Sequence, residues 1–527
     1  MSSERPEDER IDEDTVAPEP IASEPAASEP AASEPTAAAQ AEAPAEPAAE
    51  APAEPAPRSG AIRRPTRAQV GVGARVLLGA ATAVGAVVAV TAAAAVPWPD
   101  VQTPPVALEV QPAPSETVLA CDGPLLALGR DPQNAQQLTV AKQSDITSGN
   151  DRGDELSSDA LAQPTVEGEA AASRFRQLPD GTEAISAAAS SSVSASDDDI
   201  AGFAASACRP PQMESWIVGG DTETGSTGIL LVANPGDVDA TVQITVYGVN
   251  GATTPPGAEA VPIPPRTQVA LPIAGLAGGE QSPVLRITAT GSPVRASLQS
   301  SLVRTLDPAG IDVQSSVRPA ALQVIPGVRV VGAAGSADSS TTIARLLAQQ
   351  DADVTVTVAE SGSDGRVVGD PDQVELQAGS PLEVDLGALP EGEYTVTVDS
   401  DAPLVAAVWQ TTGFGAGSDY AWHTAAPEVA QPTLFAVPEG PGAALSVVNT
   451  GSAEATVTLS EQGGDSEDVE IAAGESVSVP VTAGKLYTID PGGATVRASV
   501  GFASSEAVGS FALWADAARP APVVVYP

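Results

Sequence analysis

The chain has a single histidine, His423, so any Ser–His–acid triad must use it. It closes the stretch Asp419-Tyr-Ala-Trp422-His423, which gathers an acid, two aromatic rings and an imidazole. That segment, however, aligns with Asp312-Val-Gln-Ser-Ser316 and with Ser510-Phe-Ala-Leu-Trp514, and a position explained by a repeat needs no catalytic role. No Gly-x-Ser-x-Gly elbow or Walker-type phosphate loop occurs, so no catalytic or cofactor-binding residue is assigned. Two cysteines and one histidine cannot complete a four-ligand zinc site without a carboxylate. Asp370 with Asp372, or Asp197–Asp199, could hold calcium loosely, but neither shows the alternating acidic loop with its closing Glu, and no metal site is assigned. Paired carboxylates for glycoside hydrolysis are not excluded by counting 68 acids. Clefts of that kind carry aromatic walls, and aromatics are 3% of this chain. The remaining candidates are Tyr420 and Trp422, a pair suited to sugar or peptide contact provided that the rings are exposed. Trp216, Trp409 and Trp514 read as core residues, and Arg152-Gly153-Asp154 as a chance match to an integrin motif.

The elements that must position these residues repeat. Val232-Ala-Asn234-Pro-Gly236-Asp-Val-Asp-Ala240-Thr-Val-Gln-Ile244 returns as Val448-Asn449-Thr-Gly451-Ser-Ala-Glu-Ala455-Thr-Val-Thr-Leu459, with a degenerate copy at Asp353–Val358. Val294-Arg-Ala-Ser-Leu298 is matched by Leu404–Val408 and by Val496-Arg-Ala-Ser-Val500. In Thr241–Tyr247, Val242, Ile244 and Val246 share one face, the period-two alternation of half-buried strands. Only Thr342–Gln350 hints at helix. The spacing predicts an all-β chain of tandem immunoglobulin-like sandwich modules, each of about seven strands, over 216–326, 327–438 and 439–527. A single propeller with poorly formed blades is the alternative.

Residues 1–75 read as a disordered cytoplasmic tail, first Ala/Pro/Glu-rich and then Arg-rich. Val76–Val96 gives 21 uncharged residues, ended by Pro97-Trp98-Pro99, long enough for one transmembrane signal-anchor helix. The arginines before it place the N-terminus inside and 97–527 outside the membrane. A cleaved signal peptide is the alternative and exports the same region. Residues 97–215 read as a stalk and N-terminal β segment with a Cys pair and a mobile loop, the Ser190–Asp199 run being the most loop-like part. Outside the cytoplasm, Cys121 and Cys208 are expected to form a disulfide. The net charge of −44 argues against nucleic acid and against docking on anionic lipid.

The single span, Cys121 and Cys208, Trp216-Ile-Val-Gly-Gly220 and Leu231-Val-Ala-Asn-Pro-Gly236 together resemble an uncharacterised actinobacterial family of large extracytoplasmic proteins, a domain of unknown function. The resemblance covers about residues 105–527. It implies a cell-envelope setting, since genes of that family are often found near an envelope glycosyltransferase, and it transfers no catalytic residue. The expected function is a membrane-anchored, non-enzymatic scaffold or binding module for an envelope protein or polysaccharide. A polysaccharide-processing enzyme with carboxylate chemistry and an extracellular sensor are the alternatives.

Overall fold

The structure, a computed structural model, describes residues 67–95, 108–110 and 113–525, apart from 131–132, 135, 169, 333–340, 363–364, 517 and 519–522. Residues 1–66 of the expected tail and the Pro97-Trp98-Pro99 stop lie outside the described residues, while 67–75, expected to be the disordered end of the tail, are helical. Arg67–Ala95 is a helix. Among the described residues no helix is long and apolar enough to cross a membrane.

Residues 104–527 form one unit, and its described part is all-β. Three sandwiches of identical strand order follow one another, starting at Glu214–Val218, Ala320–Val330 and Thr433–Val437. Counting strands within each, one sheet runs 1-6-3-4 and the other 5-2-7-8. In the first sandwich these are Glu214–Val218, Val284–Thr290, Ala240–Gly248 and Val261–Ile263, opposite Thr267–Pro272, Ser226–Asn234, Arg295–Arg304 and Asp307–Ser315. The second sandwich repeats the order, its sixth and seventh strands fused into the bent Gly392–Thr411. The third repeats it again. In each, the residues that alternate inward, such as Val242, Ile244 and Val246, fill one core.

This corrects the immunoglobulin reading in two respects. There are eight principal strands, not seven, because the closing element supplies a strand of its own. The order also differs: in an immunoglobulin domain the second strand pairs with the first and fifth, and the sixth with the third and seventh. Here the second pairs with the fifth and seventh and the sixth with the third and first, so the first and last strands have exchanged sheets. The helix hint at Thr342–Gln350 is likewise overturned. Thr342–Ala348 is a strand hydrogen-bonded on both sides, and that pairing overrides a local pattern poor in turn residues.

The Ser/Asp/Gly stretch expected to be a mobile loop is ordered as well. Ala187–Ser196 pairs with Asp145–Asn150 on one side and Ala201–Ala207 on the other, and Ser190, Ser191 and Ser192 are buried. Small hydroxyls permit this: Ser191 and Ser206 share a hydrogen bond at 3.2 Å, and Ser192 donates to the Glu439 carbonyl at 2.6 Å. The N-terminal segment is thus a layer of the body. Leu126, Leu138 and Val166 cover the outer face of the first sandwich at Ile229, Leu231 and Ala270. Ala188 packs on Leu434 and Ala436 of the third sandwich. Cys121 and Cys208 are disulfide-bonded, fastening Thr117–Ala120 to the end of Ala201–Ala207.

Between sandwiches the rule is the same: the 1-6-3-4 sheet of one covers the 5-2-7-8 sheet of the next. Trp216, Val218, Tyr247 and Val284 of the first pack on Leu347, Val405 and Ala407 of the second. Pro326 and Glu393 of the second accept hydrogen bonds from Ser499, at 2.8 Å, and from Ser446 of the third. Since the N-terminal layer touches both the first and the third sandwich, the series closes on itself.

Candidate functional site

Four strands meet where the series closes: Ala201–Ala207 and the eighth strands Asp307–Ser315, Tyr420–Thr424 and Ala507–Ala512. Asp419, fully buried, joins them. Its carboxylate accepts the backbone amides of Phe203 at 3.0 Å, Ile311 at 3.1 Å and Val508 at 3.1 Å. Gly202 and Gly310 hold left-handed backbone there (φ 137° and 120°), and a Cβ on either would fall within 3 Å of this carboxylate. Asp312 lies nearby, one oxygen taking the Trp422 amide at 3.0 Å and the other buried without a partner. Burial raises Asp312 to about 8 and Asp419 to about 7.

His423 belongs to this junction. Its Nδ1 lies 2.9 Å from Ser510 Oγ, while Nε2 is buried and has no partner. Burial, then the charge of Arg329, pushes the imidazole down to about 4, so it is neutral at pH 7. A serine and a histidine are therefore in contact, but without a carboxylate on the second nitrogen the arrangement is not a triad.

The other singled-out residues have structural partners. Asp197 and Asp199, considered for calcium, both clamp Arg130, at 2.8 and 2.7 Å. No group of three or more His, Cys, Asp or Glu among the described residues is placed to hold a metal ion. Arg152 of the Arg-Gly-Asp run pairs with Asp180 and Glu183, at 2.9 Å each. The repeated Asn-x-Gly corner is explained by its asparagine. Asn234 and Asn449 are fully buried; each side-chain amide donates to loop carbonyls, and its oxygen takes the amide of Gly236 or Gly451. Trp216 is buried, donating to Glu214 at 2.8 Å. Trp514 is partly buried between Arg209 and Arg318, whose guanidinium carbons sit 4.6 and 4.3 Å from its ring centre.

One outer sheet face is covered incompletely. Over the 5-2-7-8 sheet of the second sandwich a cavity of about 580 Å³ remains, roofed by the first sandwich. Its size is that of a small-molecule cleft. The floor is built by strand alternation: Ala344 and Leu346 point into the core, while Ile343 and Arg345 point outward beside Glu383, Trp409, Tyr420 and Trp422. Tyr420 and Trp422, the sequence candidates, are in this wall but buried, at 4% and 6% exposure. The Tyr420 hydroxyl donates to Ser300 at 2.8 Å, and Arg345 stacks on Trp422 at 4.6 Å. The accessible ring is Trp409, half-buried and 6.3 Å from Tyr420. It was expected in the core, and its position on the seventh strand is the outward one.

Arg345 is the residue that sequence reasoning missed. It donates to Glu383 at 2.8 Å and to the carbonyls of Gly220 and Pro283 at 2.7 and 3.1 Å. An arginine inside an apolar run signals an outward strand position, a signal hidden by the helical reading of 342–350. The Gly220 carbonyl ends the Trp216-Ile-Val-Gly-Gly220 motif, so that motif forms one lip of the cleft. The opposite lip is the hairpin after the seventh strand of the first sandwich. There Thr305 adopts a left-handed conformation (φ 61°), which a β-branched residue rarely tolerates.

Among solved structures, a protein from Thermotoga maritima, "Thermotoga maritima 1070", is 15% identical. The alignment covers 21% of this chain and 95% of that one, with a TM-score of 0.18. No curated protein matches. A family of unknown function, DUF5719, matches residues 162–482. That stretch runs from the N-terminal layer into the third sandwich and includes the whole cleft, and the chain belongs to this family.

Proposed function

We propose that this is a membrane-tethered, extracytoplasmic binding protein of the cell envelope, and that it takes its ligand in the cleft between the first and second sandwiches. The anchor rests on sequence: the uncharged run Val76–Val96 behind an arginine-rich flank sets the orientation. A disulfide between Cys121 and Cys208 accords with an oxidising compartment. The observation that carries the binding reading is the cleft floor, where an accessible Trp409 lies among polar side chains on rigid strands. Binding is favoured over hydrolysis because the cleft carboxylates are committed. Asp221 accepts from the Glu223 amide and the Ser226 hydroxyl, Glu223 from Gln281, and Glu383 from Arg345.

The test uses the full chain in intact cells, with a photo-crosslinking residue at Thr305 on the cleft lip or at Val249, an exposed position outside the cleft. Adducts formed from Thr305 and not from Val249 are expected. Equal labelling from both, or none from Thr305, overturns the cleft as the binding site.

A further inference from the structure

We infer that the ligand of this cleft is a saccharide chain, stacked on Trp409 and hydrogen-bonded by the hydroxyl-bearing lip of the first sandwich. This rests on the cleft being the binding site and names the chemistry that it selects. A sugar ring presents a flat face of C–H groups and an edge of hydroxyls that both donate and accept. It needs an aromatic plane flanked by mixed donors and acceptors. Trp409 supplies the plane, held by Tyr420 behind it. Thr227, Ser301 and Thr305 line the opposing wall as groups that donate and accept.

Arg304 supplies a donor set. It is half-buried, stacks on Phe414 at 4.6 Å and donates to the Gly413 carbonyl at 3.0 Å. Among the described residues it makes no ion pair, although the chain carries 68 acidic groups and 24 basic ones. A desolvated guanidinium with spare N–H groups beside an aromatic platform is placed for a ligand's oxygens. Thr305 next to it, at the tip of the two-residue hairpin that joins Arg304 to Asp307, lines the same cleft.

Other ligand classes fit less well. A phosphate-rich ligand would face Asp221, Glu223 and Glu383 with one unpaired arginine to meet it. A β-strand peptide needs an unpaired sheet edge, and the seventh strands on both sides of the cleft are paired on both edges. A lipid tail would need more apolar wall than Leu302, Val303, Ile343 and the rings provide.

The experiment titrates the full chain, in detergent, with maltopentaose, cellopentaose, chitopentaose and soluble arabinogalactan, each alone, with inorganic phosphate and pentalysine as non-sugar probes. Binding is read by tryptophan fluorescence and by calorimetry. At least one saccharide should bind; Trp409→Ala should weaken it roughly tenfold, as loss of a stacked ring implies, and Trp409→Phe should restore most of the affinity. Arg304→Gln should weaken it less. Saccharide binding untouched by Trp409→Ala overturns the inference. So does a panel in which no saccharide binds while Thr305 still crosslinks in cells, an outcome that leaves the cleft reading standing. No saccharide binding and no Thr305 adduct overturns both.

Discussion

Replacing Asp419 by alanine removes the one acceptor on which three distant parts of the chain converge. The Phe203 and Val508 amides donate to Oδ2, and the Ile311 amide to Oδ1, at 3.0–3.1 Å. Each buried amide left without a partner costs about 1–3 kcal/mol, so the alanine variant should lose about 3–9 kcal/mol of unfolding free energy. That is comparable to the whole stability of an ordinary domain. Asparagine separates the oxygens. With its oxygen in the Oδ2 position it keeps two amides and loses one; flipped, it keeps one and sets an N–H against two others. Its loss is therefore about 1–6 kcal/mol, always smaller than that of alanine. The assay is urea denaturation of the purified full chain at pH 7, followed by near-ultraviolet circular dichroism and by tryptophan fluorescence. An alanine variant within about 1 kcal/mol of wild type would refute the account of Asp419 as the pin of the junction. Equal losses for alanine and asparagine would refute the assignment of bonds to individual oxygens.

Three further outcomes follow from the same geometry. Burial keeps Asp312 protonated in the fold to about pH 8, so between about 3.9 and 8 the folded chain holds a proton that the unfolded chain has lost, and stability falls as pH rises. Asp419, raised to about 7, has the same slope up to that pH, and His423, pushed down to about 4, the opposite slope below about 6.5, so the loss is steepest between about pH 6.5 and 7. From pH 6.5 to 8 Asp312 should contribute about 2 kcal/mol of this loss; Asp419 adds to it up to about pH 7, so Asp312→Asn should flatten the denaturation curves between pH 7 and 8. Asn449→Ala leaves the buried Ile471 carbonyl without this partner, while Ala453 and Gly451 are exposed and can turn to water, and should lower unfolding free energy by about 1–3 kcal/mol, read from the urea midpoint. Thr305→Gly should raise the thermal midpoint, by the equivalent of about 1 kcal/mol, because glycine holds a left-handed φ without steric cost; an unchanged or lower midpoint refutes strain at the lip.

What the sequence reveals and conceals divides along the direction of side chains. The repeat and the period-two runs disclose strands and their inward faces, because Val242, Ile244 and Val246 must leave water together. They are silent on what covers the outward faces. Arg295, Val405 and Arg497 occupy equivalent outward positions on the three seventh strands and have different fates. Arg295 pairs with Asp122 of the N-terminal layer at 2.9 Å, Val405 lies under the first sandwich, and Arg497 donates to the Ala426 carbonyl at 2.7 Å. The Ser-rich strand was illegible for a related reason. Its order comes from partners more than a hundred residues away in part, such as Glu439, and composition reports only the residue itself.

The strand Tyr420–Thr424 shows why a repeat explains a position without exhausting it. Repetition accounts for its being the eighth strand, but not for His423 meeting Ser510: Gln314 and Phe511, at the same register, have other partners. Nor does it account for the opposite face, where Tyr420 and Trp422 back the cleft wall. The residues at the same register in the first and third sandwiches, Ile311 with Val313 and Val508 with Ser510, build no such wall: the first pair packs against the N-terminal layer and the second is buried. The cleft therefore arises from a shortfall of cover over one of three equivalent sheets, and not from a departure in fold. With Asp419 at its head and the aromatic pair on its face, this five-residue strand is anchored to a buried carboxylate that binds three backbone amides, beside the cleft. Rigid support beneath an accessible ring is what a binding platform requires, because little side-chain freedom is then left to lose when a ligand settles on it.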